Sequence, residues 1–429
     1  MKIQVRNARL VDPASGSDEP GDLFVAAGRI VAIGSCPDGF HANRVIDATG
    51  LVLCPGLVDL SARLREPGYE YKATLESEME AAVAGGVTTL ACPPDTDPPL
   101  DEPGLVEMLK HRARNLNRAH VCPLGALTVG LAGERLTEMA ELSEAGCVGF
   151  SQAVVPVTDT GVLRHAMQYA ASFGYAVWLQ PEDRFLAGGG VAHDGEVATR
   201  LGLAGIPVVA ETVALFTLLQ LARETGARLH VMRLSSAAGV AMLRAAREGG
   251  LSVSADVSIN HLHLSETDIG YFDAHARLSP PLRSRADREA LRAAAAEGVI
   301  DAVCSDHAPV DDDAKQLPFA EAEPGATGLE LLLPLTLKWG RECGVPLART
   351  LSRITSEPAR ILGCEAGRLE VGAAADLCLF DPSASRSITR AGLLSQGKNT
   401  PFLGAQLQGV VRMTLIAGNV VYEARPGQV

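Results

Sequence analysis

Two pairs of neighbouring polar residues have types and spacings that can support catalysis. A single residue separates His261 from His263, and this His-x-His spacing can present two imidazoles to a metal ion. Asp306 and His307 are adjacent, and a carboxylate beside an imidazole can move protons. Both pairs also have a simpler interpretation. Alternating histidines arise by chance in strands and loops, and adjacent strand residues point to opposite faces, so Asp306 is expected to form a structural ion pair.

Ser61 and a glycine run are weaker candidates for chemistry. A serine nucleophile needs a base within hydrogen-bond reach, and no histidine lies in the local sequence around Ser61. The run at 188–190 is similar to a phosphate-binding loop, but no Lys-Ser or Lys-Thr pair follows it, so a flexible loop is the better interpretation. None of these residues defines a reaction by itself.

Short apolar runs alternate with helical patterns through the middle of the chain, and these elements must position the polar residues. Eight runs have the length of buried strands: 57–60, 87–92, 121–127, 148–150, 176–179, 229–234, 251–257 and 300–304. Helical periodicity separates them, as at 75–84 and 237–247. The alternation predicts an α/β fold, a (β/α)8 TIM barrel over 56–364, with a doubly wound sheet as the alternative. Polar residues at nearly every strand's C-terminal end favour the barrel, whose active sites lie at that face.

Both ends of the chain are typical of short strands separated by turns. Neither residues 1–55 nor residues 365–429 are long enough to bury a comfortable core alone. We therefore expect the two ends to pair into one small β-sandwich domain beside the barrel.

Composition excludes several classes of function. The chain has 429 residues, 47% of them hydrophobic, and a formal net charge of −13, which argues against nucleic-acid or anionic-membrane binding. The nine cysteines include no Cys-x-x-Cys pair, a pattern typical of free thiols in a reducing compartment. The N-terminal segment has no signal-peptide core, and no apolar run is long enough to span a bilayer. The predicted location is the cytoplasm.

Sequence motifs along the whole chain resemble those of one enzyme family. PGLVDL at 55–60 is similar to the start of an amidohydrolase barrel, and REPG at 65–68 narrows the resemblance to the dihydroorotases. The strongest match is FAEAEPGATGLE at 319–330. Further matching motifs are SDHAP (305–309), GRLEVG (367–372), ADL (375–377) and KNTPF (398–402). The resemblance is specific to the longer, bacterial type of dihydroorotase.

The resemblance implies a metal-dependent cyclic amidase of pyrimidine synthesis, often associated with aspartate transcarbamoylase. Hydrolysis of a stable cyclic amide needs a strong nucleophile and a polarised carbonyl, and one zinc ion or a bridged pair supplies both. In the family, imidazoles and carboxylates at the ends of strands one, four, five, six and eight bind the metal. Only the strand-eight acid is retained here, as Asp306.

The other ligand positions carry residues that do not suit zinc. The replacements are Ser61, Arg63, Gln152, Ala153, Gln180, Arg233 and Val310. Serine and glutamine are poor zinc ligands, and arginine cannot lose its proton to become one. A guanidinium about 4 Å from a dication is repelled by about 8 kcal/mol at an effective dielectric of about 20. The sequence therefore predicts a chain without metal or other cofactor, and it predicts that Asp306 pairs with Arg63 or Arg233.

The substrate-binding positions implied by the family are partly retained. Arg65, which would hold the substrate carboxylate, and His261 are present, whereas Asp95 stands where the family has a neutral asparagine. An acid at Asp95 would oppose an acidic substrate. We expect these three to be relics of a substrate site.

This pattern is similar to the pseudo-dihydroorotases, the non-catalytic chains that accompany some bacterial aspartate transcarbamoylases. The resemblance implies a structural or regulatory partner of the transcarbamoylase catalytic chain, present as a homo-oligomer within a hetero-oligomeric complex. The alternative is an active hydrolase of dihydroorotate, a hydantoin or another cyclic amide, with an atypical or metal-free site.

Overall fold

The computed structural model describes residues 1–425, which form a barrel and a sheet made by both ends of the chain. In chain order the strands are β1 (Ile3–Asp12), β2 (Ser17–Ala26), β3 (Arg29–Ile33), β4 (Arg44–Asp47), β5 (Val52–Pro55), β6 (Leu57–Asp59), β7 (Val87–Cys92), β8 (His120–Ala126), β9 (Gly149–Ser151), β10 (Ala176–Leu179), β11 (Ala192–His193), β12 (Gly205–Ile206), β13 (Arg228–Val231), β14 (Val253–Ser258), β15 (Ala302–Cys304), β16 (Leu377–Ser387), β17 (Gln406–Ile416) and β18 (Asn419–Glu423).

The helices lie mostly between the barrel strands. They are α1 (Leu75–Ala84), α2 (Pro103–Leu116), α3 (Met139–Ala145), α4 (Thr160–Phe173), α5 (Arg184–Ala187), α6 (Glu196–Leu201), α7 (Val208–Thr225), α8 (Ala237–Glu248), α9 (Arg285–Glu297), α10 (Asp312–Gln316), α11 (Leu332–Glu342), α12 (Leu347–Ser352) and α13 (Ser356–Leu362). Short 3-10 turns follow several strands, including Ile259–Leu262 after β14.

Eight parallel strands form the predicted barrel. Their order is β6-β7-β8-β9-β10-β13-β14-β15, and each pairs in parallel with the next. A parallel bridge between Ala62 and His307, just beyond β6 and β15, closes the ring. All eight strands predicted from apolar runs are present, so the predicted fold class is confirmed.

The barrel strands are short and apolar because helices or the strands opposite cover both of their faces. All six residues of β7, VTTLAC, are buried. The helices begin and end at the usual signals. The carboxylate of Asp159 accepts hydrogen bonds from the first-turn amides of α4, and Gly174 ends that helix at a φ of 73°, a backbone conformation that glycine adopts without strain.

Strands from both ends of the chain form one continuous sheet. Its order is β18-β17-β16-β5-β1-β2-β3, with β4 added to β1, and β5 meets β16 with Cys54 opposite Cys378. The sheet curls over its own core, so that Arg29 of β3 forms an antiparallel bridge with Ala374, just before β16. Its other face packs on the barrel helices, where the hydroxyl of Thr414 donates to the carbonyl of Val83.

The two N-terminal strands are longer than their apolar runs suggest. Sequence periodicity predicts strands at 3–5 and 23–25, whereas β1 and β2 have ten residues each and pair through to Asp12 and Ser17. The polar half of β2 lies at the exposed end of this hairpin, where hydrophobic patterning gives no signal. The nine cysteines are free thiols, and no helix among residues 1–425 is long and apolar enough to cross a membrane.

Candidate functional site

The residues at the family's ligand positions lie in the loops that leave the C-terminal ends of the barrel strands. Ser61 and Arg63 follow β6, Gln180 follows β10, Arg233 follows β13 and Asp306 follows β15. Parallel strands end at one rim of a barrel, so these side chains share one mouth.

Arg233 binds the single acid retained from the ligand set. Its Nη1 lies 3.1 Å from Oδ1 of Asp306, and its Nη2 donates to the side-chain oxygen of Gln180. The side chain of Arg233 is 1% exposed and that of Asp306 is 6% exposed. The predicted pairing of Asp306 is confirmed, and Arg233 rather than Arg63 is its partner.

Arg63 forms a second ion pair in the same mouth. Its Nε lies 2.7 Å from Oδ2 of Asp95. Burial acts to raise the pKa of Asp95, but the guanidinium of Arg63 and two further arginines hold that pKa below its ordinary value. Burial likewise opposes the charge on Arg63, and the two carboxylates of Asp95 and Asp306 raise its pKa above the ordinary value. Asp95 is therefore an ionised carboxylate that Arg63 neutralises.

Arg65 is turned toward the loop that follows β15. Its Nε donates to the carbonyl oxygen of Pro309 at 2.9 Å, and its Nη2 lies 3.8 Å from a carboxylate oxygen of Glu323. Lys72 contacts the same carboxylate at 2.6 Å. Glu323 belongs to the motif at 319–330, so this motif partly neutralises the arginine that the family uses for substrate.

Backbone strain is concentrated at this mouth. Arg65, Ala153, Arg233 and Asp306 have φ values of 63°, 53°, 51° and 50°. Non-glycine residues adopt this left-handed region at a cost of about 1–3 kcal/mol each, and such residues cluster at functional sites. Four non-glycine residues with left-handed backbone thus lie in the loops at this mouth.

The two other polar replacement residues, Gln152 and Ser61, lie outside the ion-pair network, as do the apolar replacements Ala153 and Val310. Gln152 is turned toward the loop after β8, where its amide nitrogen donates to the hydroxyl of Thr128 at 2.9 Å and to the carbonyl of Leu131 at 2.8 Å. Ser61 is fully buried, and its hydroxyl has no hydrogen-bond partner within residues 1–425. His307 meets Ser61 only through the backbone, its amide donating to the carbonyl of Ser61 at 3.0 Å, so the Ser61 hydroxyl has no base bonded to it in that part of the chain.

The two alternating histidines diverge and do not form a metal site. Nε2 of His261 lies 3.1 Å from the carbonyl oxygen of Pro281, whereas Nε2 of His263 lies 2.9 Å from that of Leu335. Burial is the main cause that lowers the pKa of each imidazole to about 4. Both rings are therefore neutral at pH 7 and each is held by a backbone carbonyl.

Asp306 and His307 also point apart, as predicted, although both lie beyond the end of β15 and Asp306 has a left-handed backbone rather than a strand conformation. Nε2 of His307 lies 2.6 Å from Oε2 of Glu78 on α1, and both side chains are fully buried. A second buried pair lies below Arg233, where Nε2 of His230 is 2.8 Å from Oδ2 of Asp256. Sequence analysis missed both acids. The signal for Glu78 was its position on the apolar face of a periodic helix, where an unpaired carboxylate would be costly.

The donors at the mouth do not fit the zinc site that the family implies. Two guanidiniums occupy ligand positions, and both are paired with the carboxylates that would otherwise be available to a metal. Residues 1–425 include no cluster of three histidine, cysteine or acidic side chains that could hold a metal ion. These side chains, paired as they are, therefore do not provide the ligand set of the zinc site that the resemblance implies.

A parallel eight-stranded barrel with polar residues at its C-terminal rim and a sheet from both chain ends defines an amidohydrolase-type protein. The Dihydro-orotase-like family model matches residues 50–238, and the Amidohydrolase family model matches residues 188–421. A dihydroorotase-like protein of Pseudomonas aeruginosa is 47% identical over 99% of this chain and 100% of its own length. The chain belongs to the dihydroorotase-like family.

Two further relatives place the chain within this family. A dihydroorotase of Geobacter sp. strain M21 is 38% identical over 99% of this chain and 100% of its own length. The structure of L-hydantoinase (dihydropyrimidinase) from Arthrobacter aurescens superimposes with a TM-score of 0.88 at 27% identity, covering 98% of this chain and 96% of that one. The fold of the whole chain is thus shared with a solved structure named as an L-hydantoinase.

Proposed function

We propose that this chain is a catalytically inactive member of its family that acts as a structural or regulatory partner of an aspartate transcarbamoylase catalytic chain in pyrimidine synthesis. The observation that carries the proposal is the pair of buried ion pairs, Arg233 with Asp306 and Arg63 with Asp95. In this proposal protein cations take the electrostatic place of the metal, and the hydroxyl of Ser61 has no base bonded to it within residues 1–425.

The charge balance of the mouth supports a structural rather than a catalytic role. At the base of the mouth Nη1 of Arg233 bonds to Asp306 and Nη2 bonds to Gln180, whereas the buried Nε has no hydrogen-bond partner within residues 1–425. A general acid or base must instead be free to exchange a proton with substrate. Asp306 faces an arginine, which does not give up its proton.

The partner in this proposal rests on the resemblance to chains that accompany aspartate transcarbamoylase. The fold supports it, because the barrel is closed and its loops are ordered by specific contacts although the hydrolytic ligands are gone. We propose that the chain is a homo-oligomer within a hetero-oligomeric complex with the transcarbamoylase.

Metal content and turnover of the purified chain test the loss of catalysis. We expect no stoichiometric zinc by elemental analysis and no hydrolysis of dihydroorotate above a blank reaction. A zinc-containing dihydroorotase, purified in parallel, controls for metal stripped during purification. Stoichiometric zinc together with turnover would overturn this part of the proposal.

Co-expression with the transcarbamoylase catalytic chain tests the partnership. We expect the two chains to elute as one complex in size-exclusion chromatography and the transcarbamoylase to lose stability or activity when this chain is omitted. Separate elution, with a transcarbamoylase that is fully stable and active alone, would contradict the scaffold role.

The alternative is a hydrolase of another cyclic amide that uses a metal-free site. It is favoured by a cleft of about 100 Å³ beside the mouth, lined by Gln152, Gln180, Glu182 and Val155. A screen of hydantoins, dihydropyrimidines and dihydroorotate distinguishes the two proposals, because a scaffold turns over none of them. A Glu182→Gln variant would lose any activity that depends on this cleft.

A further inference from the structure

A second cavity opens at the opposite end of the barrel from the mouth. Its volume is about 340 Å³, and residues at or near the beginnings of β10, β13, β14 and β15 line it, among them Ala176, Arg228, Val253 and Asp301. Trp178 and His230 also line this cavity, with ring centroids 4.3 Å apart. The N-terminal face of a barrel normally serves stability, so an open polar cavity there requires its own explanation.

Three arginines and one acid give this cavity its charge. Arg247 and Arg360 both bind Asp301, the latter with its Nη2 3.1 Å from Oδ1. Arg360 also contacts Glu357 at 3.0 Å. Arg228 has no carboxylate within 4.0 Å in the part of the chain that the structure describes, and its Nη1 donates only to the carbonyl of Gly174. The cavity is therefore cationic in a chain whose net charge is −13.

Neutral donors and a neighbouring cavity extend this cationic region. Ser252 and Ser254 line the first cavity, and the hydroxyl of Ser254 lies 2.9 Å from Nδ1 of His230. A cavity of about 320 Å³ shares Arg228 and Ser252 with it and adds Arg223. The arginines thus line a continuous depression that reaches from β14 to the end of α7.

We propose that this cavity binds an anion that carries a phosphoryl group. Guanidinium forks bind phosphate oxygens with two hydrogen bonds at a time, and a phosphoryl group has enough oxygens to accept from several forks and a hydroxyl together. The nitrogens of Arg247, and Nε and Nη2 of Arg360, already bond to protein acceptors, so Arg228 presents the open side of a fork and Arg360 adds charge beside it. The volume lies at the lower end of the range for small-molecule sites, which suits a pyrophosphate or a nucleotide better than a macromolecule.

Fluorescence of Trp178 reports directly on the cavity. The full-length chain has two tryptophans, Trp178 and Trp339, and the indole of Trp339 bonds instead to the carbonyl of Arg292. In a Trp339→Phe background, titration with inorganic phosphate, pyrophosphate and a nucleoside triphosphate is followed at constant ionic strength. We expect saturable changes with dissociation constants of the order of 1 mM or tighter. Pyrophosphate should bind more tightly than inorganic phosphate, because it brings more oxygens to the guanidiniums.

Substitution of Arg228 tests the site and removes one hydrogen bond, the 3.3 Å contact of Nη1 with the carbonyl of Gly174, but no ion pair. Arg228→Ala is expected to weaken pyrophosphate binding about tenfold, and Arg228→Lys to recover part of the loss, since it keeps the charge and loses the fork. Arg200→Ala, at an exposed arginine on α6, is the matched control and should bind as the parent does. A nucleotide that binds more tightly than its phosphate chain alone would show that the base contributes.

Two outcomes would overturn the proposal. One is the absence of saturable binding for all three anions. The other is binding that Arg228→Ala and Arg200→Ala weaken equally, which would mean that the anions respond to overall charge and not to this cavity.

Discussion

Removal of the Arg233 guanidinium should destabilise the barrel because it leaves Asp306 buried and unpaired. Arg233→Met is the most specific substitution, because methionine removes the guanidinium and keeps much of the apolar part of the side chain. The hydrogen bond from the backbone amide of Arg233 to Asp256, 2.8 Å long, does not involve the side chain. With the two paired side chains 1% and 6% exposed, removal of one partner is expected to cost about 3–5 kcal/mol.

Thermal unfolding measures this cost. At about 2 °C per kcal/mol for a domain of this size, the midpoint should fall by roughly 6–10 °C. Asp306→Asn in the same chain restores neutrality and tolerates the left-handed backbone at that position, so the double variant should be markedly more stable than Arg233→Met alone. A midpoint within about 1 °C of the parent for Arg233→Met, or no recovery in the double variant, would refute the reasoning.

Three further predictions concern other buried groups of the site. Arg63→Met should cost less, about 1–3 kcal/mol in urea unfolding, because the side chain of its partner Asp95 is 18% exposed and water can reach it. Glu78→Ala should cost about 3–5 kcal/mol in the same assay, since it strands His307 in a fully buried site. Burial lowers the pKa of His261 to about 4 in the folded chain, whereas the unfolded chain keeps the ordinary value of about 6.5. The unfolded chain therefore takes up the proton at a higher pH than the folded chain does. The contribution of His261 to stability is full above about pH 6.5 and is lost as the pH falls toward 4. The free energy of unfolding should fall between about pH 7 and about pH 4 in the parent, and this fall should be about 3 kcal/mol smaller in His261→Gln.

Periodicity predicted the barrel because its strands and helices are specified locally. The runs at 87–92 and 176–179 match β7 and β10 residue for residue, and α1 has the predicted limits. The run at 229–234 extends beyond β13 (Arg228–Val231), the run at 300–304 begins before β15 (Ala302–Cys304), and the strands at the N-terminus were predicted much too short. There the pairing of β1 with β2, and not the apolar pattern, determines where the strands end.

The site could be predicted only as far as residue types allow. Sequence positions narrowed the partner of Asp306 to two arginines, but the choice depends on a competing acid. Asp95, interpreted from sequence as a relic of substrate binding, lies within reach of Arg63 and pairs with it, which leaves Asp306 to Arg233. Glu78 was missed because a charged residue on a helix is ordinarily expected on the solvent-exposed face. Its contact with His307 depends on the tertiary fold, which the local sequence does not show.

The pairing of β5 with β16 constrains the order in which the chain can fold during its synthesis. The carboxylate of Asp12 accepts a hydrogen bond from the amide of Leu369, 357 residues away, and Leu53 at the heart of the sheet pairs with Leu379. During translation β1–β5 can pair among themselves, but β5 leaves the ribosome long before β16, so this edge of the sheet must wait while the barrel is synthesised. A nonsense codon late in the gene therefore removes β16–β18 and leaves β5 with an open edge. The shortened product should be a substrate for chaperones and proteases, and not a smaller version of the protein.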